Sequence, residues 1–554
     1  MQFFIRLLLI FAIVFPCLSL SALLNPADRN DIQQRQSEII EQSKQQRDSL
    51  SQLNQTEIAA GSESKNNAKH CFFIRKINYR NASLLREKDK FRLNEYYVNR
   101  CINVNNINQL IHDVSNWYID RGYITSRAFI GEQDLSDGLL QIDILEGRLE
   151  AIQLNNQSTL ALKQVFPRLE GEILNLRDIE QGMEQLNRMP TQQVSIEIHP
   201  GSHPGYSIVN LTSKKQIPLT ANISFDNSGQ KSTGEQQLSG GLWADNVLGL
   251  ADQWFVNGGH SSEFRDGQNV ESLQTGVSFP YGHWTFNYDY SKSRYRNDFT
   301  NREFLWHSTG NSQTHRATLS RVIFRNGEMK TSVSAGMSHR IGQNYLNDVL
   351  LQSSSRKLSS AIIGINHSQK LWGGLATLNP AYSRGTRWFG AEGDEGKSDD
   401  APRAEFNKLT LAASYYYPLS NNINYLTNFY AQYSPQTLYG SEQVTLGGET
   451  SVRGFKEQYL SGDRGGYWRN EVNWQPLQLP WLGSTTFTVA LDGGHLFSHK
   501  TDGDTAGTLW GASVGMGISN PYLSQQITVG WPLAYPDWLK PDTAVVYYRV
   551  GLSF

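Results

Sequence analysis

From residue 218 to residue 554, segments of about ten residues alternate apolar or aromatic with polar or small side chains, and turn residues separate one segment from the next. In one segment Trp284, Phe286, Tyr288 and Tyr290 interleave with Thr285, Asn287, Asp289 and Ser291. In another Trp510, Ala512, Val514, Met516 and Ile518 interleave with Gly511, Ser513, Gly515 and Gly517. A period of two sends successive side chains to opposite faces of a strand. A wall with lipid outside and water inside needs many such two-sided strands, each near the ~9–11 residues that cross a bilayer at a tilt. A soluble sandwich or propeller would turn its apolar face inward and has little use for aromatics repeated at both strand ends. Segment starts near residues 218, 236, 252, 269, 282, 313, 329, 357, 374, 407, 423, 466, 485, 508, 525 and 543 count sixteen strands, give or take two, which implies a wide pore. The 13 Trp, 25 Tyr and 24 Phe are many for a chain whose mean hydropathy is −0.47, a polarity that rules out multi-span helical transport. The formal charge of −2 offers no basic excess to hold a polyanion, so nucleic acid is not an expected partner.

The first 22 residues carry Arg6, an apolar run over 7–15 and the small residues Ser19, Ser21 and Ala22, the pattern of a secretory signal cleaved near Ala22. An uncleaved anchor is the competing reading, but the run falls far short of the ~20 residues of a spanning helix. Cys17 follows Pro16, a poor lipoprotein site, and leaves with the signal. Cys71 and Cys101 remain, an even count in an exported chain, and are expected to form one disulfide closing a loop of about 30 residues, worth ~3–4 kcal/mol in the chain-entropy model. Two unpaired buried thiols are the alternative. Without CxxC spacing or a neighbouring His cluster they are not a metal site.

Asn25 and Pro26 form a helix start, and the Gln-, Arg- and Glu-rich run after them predicts a helix over 26–53 in the segment 23–53. Its apolar residues, Ile32, Ile39, Ile40, Leu50 and Leu53, are too few for a core-facing stripe. Such a helix is either solvated or lodged in a polar cavity, and composition does not separate the two. Residues 54–69 read as a flexible linker.

Two small α/β units follow, at 70–149 and 150–214. In the first, Asn106 is expected to cap a helix carrying Ile107, Leu110, Ile111, Val114, Trp117 and Tyr118 at helical spacing, ended by Gly122 and followed by strands over 123–130 and 139–145. In the second, a strand at 152–154, helices over 160–166 and 176–189, and strands over 194–199 and 206–212 repeat a β-α-α-β-β order. The pair, with Leu186-Asn187-Arg188-Met189-Pro190 and Pro204-Gly205-Tyr206-Ser207, resembles tandem polypeptide-transport-associated (POTRA) domains.

With those units in the periplasm, strand one of 215–554 runs outward and the connection over 434–465 is the sixth external loop. It contains Val452-Arg453-Gly454-Phe455. This tetrad, in a long loop of a barrel preceded by paired POTRA units, resembles the two-partner secretion (TpsB-type) transporters, in their hemolysin activator and contact-dependent inhibition branch. On strand thirteen Phe487, Val489 and Leu491 face lipid, so Thr488, Ala490 and Asp492 face the lumen by parity. In that family the loop folds into the pore and its Arg pairs with the Asp of a second motif, matched here by Asp492, Gly493 and Gly494. An Arg carried into a lumen requires an anionic acceptor, which a carboxylate supplies with two parallel hydrogen bonds. Tyr548, Leu552 and the terminal Phe554 resemble the terminal recognition signal of outer-membrane barrels.

The fold class expected is thus β with α/β modules: a sixteen-stranded antiparallel transmembrane β-barrel preceded by a plug helix and two periplasmic POTRA domains. The resemblance implies an outer-membrane translocator that exports one large unfolded exoprotein (hemolysin, adhesin or contact-dependent inhibition toxin), recognised by its N-terminal secretion domain. It also implies insertion into the outer-membrane bilayer by the barrel-assembly machinery, and a helix that occupies the lumen at rest and withdraws. A barrel-assembly insertase and a plain diffusion porin are the rivals. No catalytic, cofactor or metal site is expected: HExxH and a phosphate-cradling Gly-Lys-Ser/Thr loop are missing, and the 12 His lack metal-ligand spacing.

Overall fold

The computed structural model describes residues 24–52, 71–214, 216–479, 483–497 and 506–554. The expected signal segment and linker lie outside these residues. An N-terminal helix, Pro26–Gln52, precedes two small α/β units and a closed antiparallel barrel of sixteen main strands.

The first unit pairs strands Cys71–Ile74 and Arg100–Asn103, and sets Lys76–Arg80 parallel to Leu139–Leu145 with Arg127–Phe129 at the far edge. Helix Val104–Asp120 packs Leu110, Val114 and Tyr118 against Leu140 and Ile142. Its cap is Asn103, not Asn106. Asn103 accepts from the Asn106 amide and the Asn106 side chain accepts in return, a capping box that starts the helix earlier than its apolar spacing suggests. Two further differences have local causes. Helix Glu87–Asn94 is too polar to show an apolar period, and the strand expected over 123–130 shrinks to Arg127–Phe129 because 124–125 form a turn.

In the second unit strand Arg148–Leu154 lies parallel to Tyr206–Ser213, which pairs antiparallel with Val194–Pro200. Helices Leu160–Val165 and Leu176–Asn187 cover that sheet with Leu162, Val165, Ile179 and Leu186.

The barrel strands are Leu219–Asp226, Gln237–Asp245, Gln253–Ser261, Gln268–Tyr281, Trp284–Asn301, Phe304–Arg325, Met329–Leu346, Arg356–Leu371, Gly374–Thr386, Asn407–Pro418, Ile423–Tyr433, Gly465–Leu479, Gly483–Leu496, Gly507–Ser519, Leu523–Ala534 and Val545–Ser553. They are numbered one to sixteen in this order. Strands five and six pair over 18 residues, whereas strands one and sixteen close the cylinder over only five, Asn222↔Ser553 to Asp226↔Arg549. Strand six begins nine residues before its expected start at 313, because strands five to seven rise beyond the bilayer, where both faces are wet and alternation fades.

The second unit seats on one end of the cylinder. Ala251, in the turn after strand two, joins its apolar core, and the amide of Gly282 donates to the Gln164 carbonyl at 3.0 Å. Arg325 reaches Glu184 at 2.6 Å, and Lys330 pairs with the same carboxylate. All these barrel residues lie at or beside turns that follow even-numbered strands, which marks that rim as the end bearing the two units.

Candidate functional site

The connection between strands eleven and twelve turns back into the lumen. Val444–Leu446 and Leu460–Gly462 pair as a short hairpin, and Val444, Leu446, Val452, Phe455 and Leu460 cluster with Tyr467, Leu496 and Leu509 of the wall. Gly454 has φ of +100° and a Cβ there would stand 2.6 Å from the Trp531 backbone, so the loop touches strand fifteen only because no side chain intervenes. Opposite it, a Cβ at Gly511 would collide with the Arg453 carbonyl.

That close approach delivers Arg453 to Asp492. Nε donates to Oδ2 at 2.6 Å and Nη2 to Oδ1 at 2.7 Å, while the Arg453 amide also donates to Oδ2 at 3.1 Å. Asp492 is fully buried and Arg453 5% exposed. The third guanidinium nitrogen lies 3.0 Å from Glu471 of strand twelve, which Arg469 also contacts at 2.9 Å. The result is a four-membered charge cluster in which each buried group has a partner, the condition under which buried ions are tolerated. Val452 and Phe455 are fully buried, and the Phe455 carbonyl accepts from the Tyr547 hydroxyl at 2.8 Å. A Cβ at Gly494 would sit 3.0 Å from Leu446, so the small residues after Asp492 make room for the loop.

Sequence reasoning did not single out Glu471. The parity that turns Asp492 inward would have found it, since Trp468 and Val472 are lipid-exposed beside it.

The helix lies along the lumen. Asp28 accepts from Arg340 at 2.6 Å, Asp31 pairs with the same guanidinium, and Glu38 accepts from Arg316 at 3.0 Å. Gln36 bonds Thr445 and Thr450 of the inserted loop at 3.0 and 2.7 Å, Gln42 bonds Asn366 at 3.0 Å, and Gln46 bonds Asn379 at 3.1 Å. Its start meets the outer turn through Gln230, which donates to Asn30 at 2.8 Å, and its end meets Ser414 through Arg47. Contacts to the wall are mostly polar, with Ala27, Ile32 and Leu50 buried among them and Ala27 packed on Val270 and Tyr295, and the lumen is the polar cavity that suits a helix with few apolar residues.

Cys71 and Cys101 form a disulfide that ties the two short strands of the first unit, with Cα atoms 5.4 Å apart. Tyr548 and Leu552 face outward on strand sixteen, and the backbone of Phe554 exchanges hydrogen bonds with Ala221 to complete the closure. Among the described residues no group of three or more His, Cys, Asp or Glu could hold a metal ion.

Residues 205–518 match the family described as haemolysin secretion/activation protein ShlB/FhaC/HecB. The chain belongs to the ShlB/FhaC/HecB family. Residues 72–147 match the ShlB-type POTRA domain and residues 148–200 a further POTRA domain. The outer membrane transporter CdiB of Dickeya dadantii is 63% identical, with 96% of both chains covered. CdiB of Escherichia coli O6:K15:H31 is 47% identical over 98% of this chain and 94% of its own. The solved structure of CdiB from Escherichia coli superposes with a TM-score of 0.92 at 48% identity, over 96% of this chain and 100% of that one. As a member of the ShlB/FhaC/HecB family the chain is a two-partner secretion transporter of the outer membrane, with its POTRA domains in the periplasm and a secreted exoprotein as its partner. The sixth loop and the start of the helix therefore lie at the extracellular end.

Proposed function

We propose that this transporter exports one large exoprotein of the contact-dependent inhibition class through the lumen, and that the helix is a removable plug. The 63% identity to a CdiB supports the cargo class. The observation that carries the plug reading is the mostly polar seating of the helix: withdrawal exchanges hydrogen bonds with the wall for hydrogen bonds with water, and the apolar surface it uncovers is confined to a few residues, Ala27, Ile32 and Leu50 among them. Arg453 and Asp492 then act as a loop-wall lock that holds the sixth loop against strands thirteen to fifteen while the bore empties and fills. The POTRA domains engage the partner's N-terminal secretion domain by adding its strand to a sheet edge, and folding outside the cell supplies direction. Tyr548, Leu552 and Phe554 serve the barrel-assembly machinery during insertion. The chain performs no catalytic step.

A tether tests the plug. The variant Gln46→Cys with Asn379→Cys, bridged by a reducible bifunctional thiol reagent that makes up the length of the two amides now meeting at 3.1 Å, joins helix to wall. Secretion of the partner is expected to fall to background when the pair is bridged and to return on reduction. Undiminished export by the bridged protein would overturn withdrawal.

A further inference from the structure

The outer surface of the barrel is chemically uneven. On strands ten to sixteen and one to four, among the described residues, the Lys and Arg of the paired segments, Lys408, Arg469 and Arg549, all point into the lumen by parity. On strands five to nine, Lys292, Arg294, Arg296, Arg321, Lys357 and Arg384 point outward. Arg321 lies at the periplasmic rim over the Trp284 ring, Arg296 pairs with Asp298, and Arg294 stands opposite Glu271 across strand four. Among the described residues Lys292, Lys357 and Arg384 have no carboxylate at ion-pair distance.

Strand direction fixes their height and register their neighbours: Lys357 and Arg384 stand within two residues of the outer ends of strands eight and nine, and Lys292 lies eight residues up from the inner end of strand five. Lys292, Gln313, Ile341 and Lys357 lie in one row across strands five to eight. The row below holds Tyr290, His315, His339 and Ser359, and the next holds Tyr288, Ala317, Met337, Ala361 and Arg384. Beneath these the outward residues are Phe286, Leu319, Ala335, Ile363 and Tyr382. The three cations therefore sit at the extracellular edge of the apolar band, above and beside a Tyr and His shelf. Tyr288 bonds His315 at 2.8 Å, and Phe389, from the loop after strand nine, packs on His339 at 5.6 Å. Trp388 and Phe389 are exposed in that loop, and such aromatic rings favour the headgroup layer. Lys292 and Lys357 are three inter-strand steps apart, about 14 Å along the wall.

We propose that this face of strands five to nine binds a phosphorylated glycolipid of the outer leaflet. Its phosphates are held by Lys292, Lys357 and Arg384 and its acyl chains lie over Phe286, Leu319 and Ile363. A cation at the lipid boundary without a protein carboxylate needs an anion from the headgroup layer, and the extracellular position selects the outer-leaflet lipid. The uneven distribution would hold the transporter's strand five to nine side against anionic lipid and leave the seam side free of it.

The full chain in detergent is titrated with bisphosphorylated lipid A, dephosphorylated lipid A and phosphatidylglycerol, and bound lipid is counted by native mass spectrometry. K292Q/K357Q/R384Q is expected to weaken lipid A binding roughly a hundredfold, at about fivefold per cation. Removing the phosphates from the lipid should weaken wild-type binding equally. Equal binding of lipid A to wild type and variant, or of the dephosphorylated lipid to wild type, would overturn the proposal. So would phosphatidylglycerol that matches lipid A in affinity and in sensitivity to the substitutions. If the triple variant lacks the heat-modifiable mobility of a folded barrel, K357Q/R384Q serves, with an expected loss of roughly twenty-five-fold.

Discussion

Arg453 illustrates how a charged residue becomes structural. Its guanidinium meets Asp492 and Glu471 inside a wall that excludes water, so removal of either acid leaves a buried cation short of a partner. Breaking such a pair costs about 3–5 kcal/mol. Asp492→Arg and Arg453→Ala should therefore release the sixth loop and abolish export, while the barrel still inserts and shows heat-modifiable mobility. Normal secretion by either variant would sink the lock. Parity made Asp492 legible from the sequence, because Phe487, Val489 and Leu491 mark the lipid face without ambiguity. Arg316 and Arg340 obey the same parity, yet their partners belong to a helix hundreds of residues away, and no local pattern connects them.

Among the elements, the helix is held mainly at its outer half. Arg340 carries both Asp28 and Asp31, and Arg316 carries Glu38. Arg316→Gln with Arg340→Gln should raise the frequency of large-conductance openings in planar bilayers, and an unchanged opening frequency would show that these two pairs do not retain the helix. The helix was readable as a helix from Asn25 and Pro26, but its lodging was not, since a polar helix looks alike in bulk water and in a wet bore. The join between the second POTRA domain and the rim depends on Glu184. Burial alone would raise its pKa, but Lys330 and Arg325 hold it down to about 2. A carboxylate depressed below its ordinary 4.5 contributes fully above that value and loses the contribution as pH falls toward about 2. The domain should stay seated from neutral pH to about 4.5 and loosen below it, and Glu184→Gln should loosen it already at neutral pH. Limited proteolysis between the second unit and strand one, at residues 214–218, across this range measures both.

The whole molecule combines a nearly continuous wall with one short join. Strands one and sixteen meet over five pairs, with Ser224 directly opposite Gly551. A Cβ at 551 would lie 3.9 Å from that of Ser224, within reach of a disulfide. If cargo moves along the bore, oxidised Ser224→Cys with Gly551→Cys secretes at the wild-type rate, and a block in that variant would mean that the wall itself must part. Strand number and the order of domains were legible because lipid imposes one repeating rule on every crossing. Above the bilayer the rule lapses, which is why Phe304–Ser312 gave no signal although it is strand.

The direction of the helix has a further consequence. Residue 24 touches Tyr459 near the cell exterior, while residue 47 touches strand ten deeper in the bore. Departure toward the periplasm must then drag the N-terminal tip last through the entire channel, a stroke of about 40 Å at 1.5 Å per residue. An epitope fused at that tip would be a flag visible to antibodies on intact cells in the idle transporter, and it would disappear from view for as long as cargo is in transit.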